Sequence, residues 1–108
     1  MSEPGFVIEE FTPVIRNTLR GFARVRTPSG MLLFDVAIHE KNGRAWVSPA
    51  SKPMLSRDGT VMRDAANKIQ YSPVVGFTSR ELRDRFSYQV VAAVRTSHPE
   101  ALAGEADA

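Results

Sequence analysis

Hydrophobic and polar residues alternate in the N-terminal half of the chain. Between Leu19 and Arg26 the odd-numbered positions are small or apolar, and the even-numbered positions hold Phe22 and three arginines. A period of two predicts a β-strand, here with one basic face. A second strand is predicted from Met31 to His39, and the residues expected to face the core are Leu32, Phe34, Val36 and Ile38.

Short signals predict the neighbours of these two strands. Asn42-Gly43 favours a two-residue hairpin, because both central positions of a type I′ turn need positive φ. Residues 45–47 are then expected to return as a third strand. The apolar stretch of residues 6–15 predicts one more strand at a sheet edge, since Pro13 has no N–H to donate to a ladder.

The clearest helix signal begins at Thr78. Thr78 and Glu81 fit a capping box, and an apolar stripe with helical spacing follows them. Pro99 ends the helical pattern, so we expect one domain over residues 1–98 and a disordered acidic tail over residues 99–108. The stripe consists of Leu82, Phe86, Val90, Ala93 and Val94.

Residues 50–72 show no sustained period of either kind and are rich in turn-forming and charged residues. They predict a long loop with one short strand, and loops of this length are more often functional than incidental. The whole pattern predicts an α+β fold, in which an antiparallel sheet of about four to five strands is followed by a C-terminal amphipathic helix.

Charge is distributed unevenly along the chain. The net charge is only +2, yet all fourteen Lys and Arg lie between Arg16 and Arg95, while six of the twelve acids lie outside that segment. A basic segment of this kind attracts polyanions, chiefly nucleic acid, although plain solubility is an equal explanation for the charge alone. The absence of cysteine suits a reducing compartment, and with no signal peptide or membrane span in view we expect a cytoplasmic protein.

The basic residues fall into three groups that are candidates for nucleic-acid binding. One group shares a predicted strand face with Phe22, a mixture of cation and aromatic ring that suits phosphate and base contacts. The others lie on the long loop and in the first turns of the helix, and each group has a solvated surface as its alternative. The candidates are Arg20, Arg24 and Arg26 on the strand, Lys52, Arg57 and Arg63 on the loop, and Arg80 and Arg83 on the helix.

Candidates for catalysis are few. Asp35 and His39 share a strand face by period two and Glu40 is adjacent, but a polar strand end explains them better than an acid/base pair. The two histidines are too few for a metal site without carboxylate help, and no phosphate-binding glycine motif is present. We expect no enzyme activity, no metal and no cofactor.

The order of several short motifs resembles the SpoVG family (stage V sporulation protein G), small bacterial regulators. The similarity is close over residues 17–69, about half of the chain, and loose through the helix. The matching pieces are Arg20-Gly21-Phe22-Ala23, Phe34-Asp35-Val36-Ala37-Ile38, Asn42-Gly43, Trp46-Val47, Ala50-Ser51-Lys52, Asp58-Gly59 and Arg63-Asp64-Ala65.

The resemblance implies a twisted antiparallel sheet followed by a helix, a homodimer formed through that sheet, and DNA and RNA binding that adjusts gene expression. By position it implies roles for Lys52 and Arg63, and less directly for Arg80 and Arg83. Pro53 and the extra apolar residues 71–77 depart from the family pattern.

These observations predict a small nucleic-acid-binding regulator that acts as a homodimer. The alternative is a protein-interaction adaptor, which would bind its partner through an exposed strand edge or through the apolar stretch of residues 71–77.

Overall fold

The computed structural model describes residues 5–102 and contains an antiparallel sheet, a small second sheet and a C-terminal helix. The main sheet has the strand order β1-β2-β3-β4, and β5 pairs with β6. The predicted α+β class is confirmed, as is the edge position of the strand that contains Pro13. The elements are β1 (Val7–Arg16), β2 (Leu19–Arg26), β3 (Leu32–Lys41), β4 (Arg44–Ser48), β5 (Ser51–Pro53), β6 (Tyr71–Pro73), α1 (Arg80–Ser97) and a 3₁₀ helix (Pro99–Leu102).

The hydrophobic core lies between one face of the main sheet and α1. Val25, Val36 and Ile38 of the sheet are fully buried, and they pack in one cluster with Val90 and Val94 of the helix. The helix is also tied to the edge strand β4, since the backbone N–H of Val47 donates to Ser87 Oγ at 3.0 Å. The opposite face of the sheet is therefore the open one.

The Asn42-Gly43 hairpin is confirmed, with φ of 55° and 79° at the two residues. By contrast, the prediction that Leu32 and Phe34 face the core is wrong. Ala23 pairs with Val36 while Val25 pairs with Leu33, so β3 has one extra residue opposite Arg24. This β-bulge, at which Asp35 has a φ of 58°, reverses the alternation. It turns Leu33 towards the core and leaves Leu32 and Phe34 exposed.

The helix begins one residue later than the capping box predicted. The N-cap is Ser79, whose Oγ accepts a hydrogen bond from the Leu82 N–H at 3.1 Å. Thr78 and Ser79 are both hydroxyl residues, so the sequence does not separate them by type. The helix ends at Ser97 with His98 as its C-cap, as predicted.

The predicted disorder of residues 99–108 is wrong for its first part. Residues 99–102 form a 3₁₀ helix, and Leu102 is only 1% exposed because it belongs to the core cluster. His98 also contacts the core strand β1, with its ring 5.2 Å from that of Phe11. The rest of the predicted tail, residues 103–108, lies outside the described residues.

Residues 51–74 form a β-arm instead of the predicted long loop with one strand. Three extended segments meet through backbone hydrogen bonds of 2.8 to 3.0 Å, from Met54 N–H to Gln70 O, from Met62 N–H to Met54 O and from Gln70 N–H to Met62 O. The β-arm contributes no buried residue to the core among residues 5–102. It is therefore held by its own backbone pairing and by its attachment to β4.

Candidate nucleic-acid interface

The open face of the main sheet carries four half-buried or exposed aromatic side chains. His39 of β3 and Trp46 of β4 are cross-strand partners, and their rings are stacked with centroids 5.4 Å apart and planes 7° apart. Phe22 lies on β2, opposite Ala37. Phe34 joins them because of the bulge at Asp35, and it is 53% exposed. We call Phe22, Phe34, His39 and Trp46 the aromatic face.

The four rings are linked across the sheet by shared clefts. Phe22 and Phe34 line one small cleft, together with Arg24 and Asp35. Phe22 and His39 line a second cleft of about 330 Å³. The far wall of this second cleft is formed by residues 48–51, where the chain leaves β4 and enters the β-arm. The aromatic face is thus continuous from Phe34 to Trp46, and the base of the β-arm borders it.

His39 is held in place within this face. Its Nδ1 lies 3.0 Å from Thr18 Oγ1, and the Trp46 ring covers one side of the imidazole. Burial, and after it the positive charge of Arg20, lower the pKa of His39 from its ordinary value of 6.5. At neutral pH the ring is therefore uncharged and presents an aromatic surface.

The three strand arginines do not form the single basic face that the alternation predicted. Arg20 is the extra residue of a second bulge, because Leu19 pairs with His39 while Gly21 pairs with Ile38. Its Nε lies 3.8 Å from Oε1 of Glu40, which is 2% exposed and faces the core side. Arg20 is thus drawn away from the other two arginines, and its predicted place beside them is wrong.

Arg24 and Arg26 do lie on the open face, and both are paired with acids of β1. Arg24 contacts Glu10 at 3.0 Å and Arg26 contacts Glu9 at 2.6 Å. These two acids precede the basic segment in the sequence, yet the sheet register brings them beside its arginines. The charge separation along the chain therefore largely disappears on this face.

The helix arginines lie on the far side of the sheet from the aromatic face, and they too are paired. Asp84 lies 4.0 Å from Arg80 and 3.5 Å from Arg83, and Glu81 lies 3.7 Å from Arg85. All five side chains are largely exposed, so each contact is worth little. A ligand on the aromatic face reaches these cations only by passing the edge strand β4.

The cations of the β-arm are arranged differently. Lys52, Arg57 and Arg63 are exposed and form no ion pair with any residue of the described range. Arg63 instead donates to the backbone oxygen of Asn67 at 3.0 Å. Lys68 shares this position, and the sequence analysis did not select it.

The two acids of the β-arm are occupied within its own turns. Asp58 accepts hydrogen bonds from the hydroxyls of Ser56 and Thr60, which lower its pKa to about 2. Asp64 accepts from the N–H groups of Ala66 and Lys68 at 2.9 and 3.0 Å. The β-arm is therefore the part of the predicted interface whose cations remain available to an external anion.

The residues considered for catalysis are divided between the two faces of the sheet. Asp35 and His39 line the same cleft, but Glu40 points to the core side and contacts Arg20. Within residues 5–102 no group of three or more His, Asp or Glu side chains is placed to hold a metal ion. No helix of the described part is long and apolar enough to cross a membrane.

Comparison with known proteins adds no relative. No protein-family model, no curated protein and no solved structure matches this chain. The sheet and helix agree with the fold that the SpoVG resemblance implied, but an α+β class is shared by many families. The resemblance therefore stays a prediction, and the function has to be argued from the residues of the aromatic face and the β-arm.

Proposed function

We propose that this chain is a small nucleic-acid-binding protein that holds single-stranded DNA or RNA on the aromatic face. One observation carries the proposal, namely that a continuous row of aromatic rings on an open sheet borders an arm whose cations have no carboxylate partner. Each ring offers a surface on which an unpaired base can stack, which favours single strands over duplexes.

The β-arm supplies the phosphate contacts of the proposed complex. Lys52 immediately follows the cleft wall that residues 48–51 form, so it stands nearest to a strand lying on the aromatic face. Arg57, Arg63 and Lys68 lie further out along the arm. Arg24 contributes in a second way, because its guanidinium can exchange the exposed Glu10 carboxylate for a phosphate at small cost.

A titration at several salt concentrations tests the proposal. Fluorescence anisotropy would be recorded with labelled single-stranded DNA, single-stranded RNA and duplex DNA between about 50 and 200 mM salt, a range over which phosphate contacts weaken strongly. We expect both single strands to bind more tightly than the duplex, with affinity falling as salt rises. Tighter duplex binding, or no binding at the lowest salt, would contradict the proposal.

The homodimer and the role in gene expression are part of the same proposal. Edge strand β1 is the available dimer surface, because the outward N–H of Val47 on the other edge strand is taken by Ser87. Sedimentation equilibrium is expected to give twice the chain mass of 11.9 kDa. A monomer at all concentrations would remove the dimer from the proposal and leave the binding face intact.

A protein-interaction adaptor is the second candidate, and the apolar side chains of the β-arm favour it. Leu55, Tyr71 and Val74 are each more than half exposed although none of them supports the core. Such side chains suit contact with another protein. A partner captured by the wild-type chain after nuclease treatment, and lost on Leu55→Ser with Tyr71→Ser, would favour this function.

A further inference from the structure

A groove of about 500 Å³ lies along the free edge of β4, between that strand and the first turns of α1. Its volume falls in the range of about 300 to 1,000 Å³ that is typical of small-molecule sites. One wall consists of β4 with Arg44 and Trp46, and the other consists of Phe77 with Arg83 and Asp84. The groove thus combines two aromatic rings with an excess of positive charge.

Trp46 joins this groove to the aromatic face. The same side chain stacks on His39 on the open face of the sheet and lines the groove at the β4 edge. A strand that stacks on the aromatic face therefore reaches the groove directly across Trp46. Phe77 stands on the other wall and is fixed by the buried Phe86, with ring centroids 5.1 Å apart.

The charges of the groove favour an anionic ligand. Arg44 is exposed and forms no ion pair with the other described residues. Arg83 has only a 3.5 Å contact with Asp84, and Arg80 shares that carboxylate at 4.0 Å. A guanidinium near a helix start gains little from the helix itself, because the macrodipole there opposes a positive charge. A phosphate between Arg44 and Arg83 would form charge-assisted hydrogen bonds with both.

An extended peptide is a poorer occupant of the same groove. Strand addition to β4 needs the outward backbone groups of that strand, and the N–H of Val47 already donates to Ser87 Oγ at 3.0 Å. The side chain of Ser87 and the helix behind it block this edge. A planar base with a phosphate needs no backbone pairing.

We propose that this groove binds one nucleotide of the single strand, with its base between Trp46 and Phe77 and its phosphate against Arg44 and Arg83. The inference rests on the proposed function, since the strand arrives from the aromatic face. It extends the binding path over the β4 edge to residues that the sequence analysis did not select, namely Arg44, Trp46 and Phe77.

Arg44→Ala and a control variant test the groove. Arg95→Ala removes the same charge from another exposed arginine without an ion pair in the described range, in the last turn of α1 and away from the groove. With a 12-nucleotide single-stranded DNA, we expect Arg44→Ala to bind about tenfold more weakly than the wild type, the usual size of a charged hydrogen bond. Arg95→Ala should stay within about twofold of the wild type, because a distant exposed charge is screened.

Two further measurements separate a local contact from a general charge effect. In ¹H–¹⁵N spectra of the wild-type chain, the backbone signals of Arg44 and Phe77 should shift when the same DNA is added. Phe77→Leu keeps an apolar contact with Phe86, and it should weaken binding severalfold while the chain remains folded by circular dichroism. Equal affinities of Arg44→Ala and Arg95→Ala, or unshifted Arg44 and Phe77 signals, would overturn the groove proposal while wild-type binding would still support the proposed function. Absence of wild-type binding would contradict both.

Discussion

The guanidinium of Arg24 lies 4.8 Å from the centre of the Phe34 ring on the open face of the sheet. The two residues meet only because the bulge at Asp35 places Phe34 on the same side as Arg24. A guanidinium over a ring fixes the orientation of that ring and leaves its outer surface free. The sheet irregularity is thus what adds the fourth ring to the aromatic face.

Phe34→Ala is expected to weaken binding to single strands with little loss of stability. The ring is 53% exposed, so its removal opens no core cavity, whereas one lost base stack costs about 1 to 3 kcal/mol of binding. Anisotropy with single-stranded DNA measures the affinity, and thermal denaturation checks the fold. Tyr88→Ala is the control, because Tyr88 is an aromatic residue on α1 with 76% exposure and lies away from the aromatic face. Equal affinities of the two variants would show that Phe34 does not stack.

Several features of the fold follow directly from local sequence. The alternation in β2, the Asn42-Gly43 turn and the edge position of the Pro13 strand all depend on rules that act over a few residues. Each rule is local, so each could be applied without knowledge of the rest of the chain.

The errors arise where the local rules are interrupted. A period of two assigns Phe34 to the core, and only a bulge at Asp35 reverses that assignment. The same holds for Arg20, whose bulge directs it to Glu40. Asp is one of the few residues that tolerates positive φ, so Asp35 in the middle of an apolar run was the available signal for a bulge. The β-arm was missed because its hydrogen bonds join three segments with no apolar period.

Lys52→Ala with Arg57→Ala is expected to reduce the salt dependence of binding. Each lost phosphate contact on a single strand lowers the slope of log affinity against log salt by about 0.7, so the double variant should lose about 1.4. Titrations at four salt concentrations give the slope. The matched control is Arg80→Ala with Arg85→Ala, which also removes two cations but from ion pairs on the helix. If the helix variant lost as much slope as the arm variant, the phosphates would follow the helix and not the β-arm.

Acid should destabilise the protein in part through His39. Burial and the charge of Arg20 lower its pKa in the folded state below 6.5, so the unfolded chain takes up the proton first as pH falls. The contribution of His39 to stability is therefore complete above pH 6.5 and is lost progressively as pH falls from there through the folded-state pKa. Urea unfolding of the wild type and of His39→Phe at pH 8, 7, 6 and 5 measures the effect. The free energy of unfolding should fall less steeply below pH 7 in the variant, and identical pH profiles would refute the assignment.

Gly21 is expected to be irreplaceable for packing reasons. A Cβ at this position would lie 2.5 Å from Cζ of Phe11 and 2.6 Å from the backbone oxygen of Thr12 on the neighbouring strand β1. The Phe11 ring might be displaced alone, but the carbonyl cannot move without disturbing the pairing of Pro13 with Gly21. Gly21→Ala should therefore lower the free energy of unfolding by about 1 to 3 kcal/mol, as overpacked sites do. Gly76→Ala is the control, since a Cβ there meets no atom within 4 Å. Urea unfolding compares the two variants, and equal midpoints would mean that β1 does not lie as close to β2 as the sheet register requires.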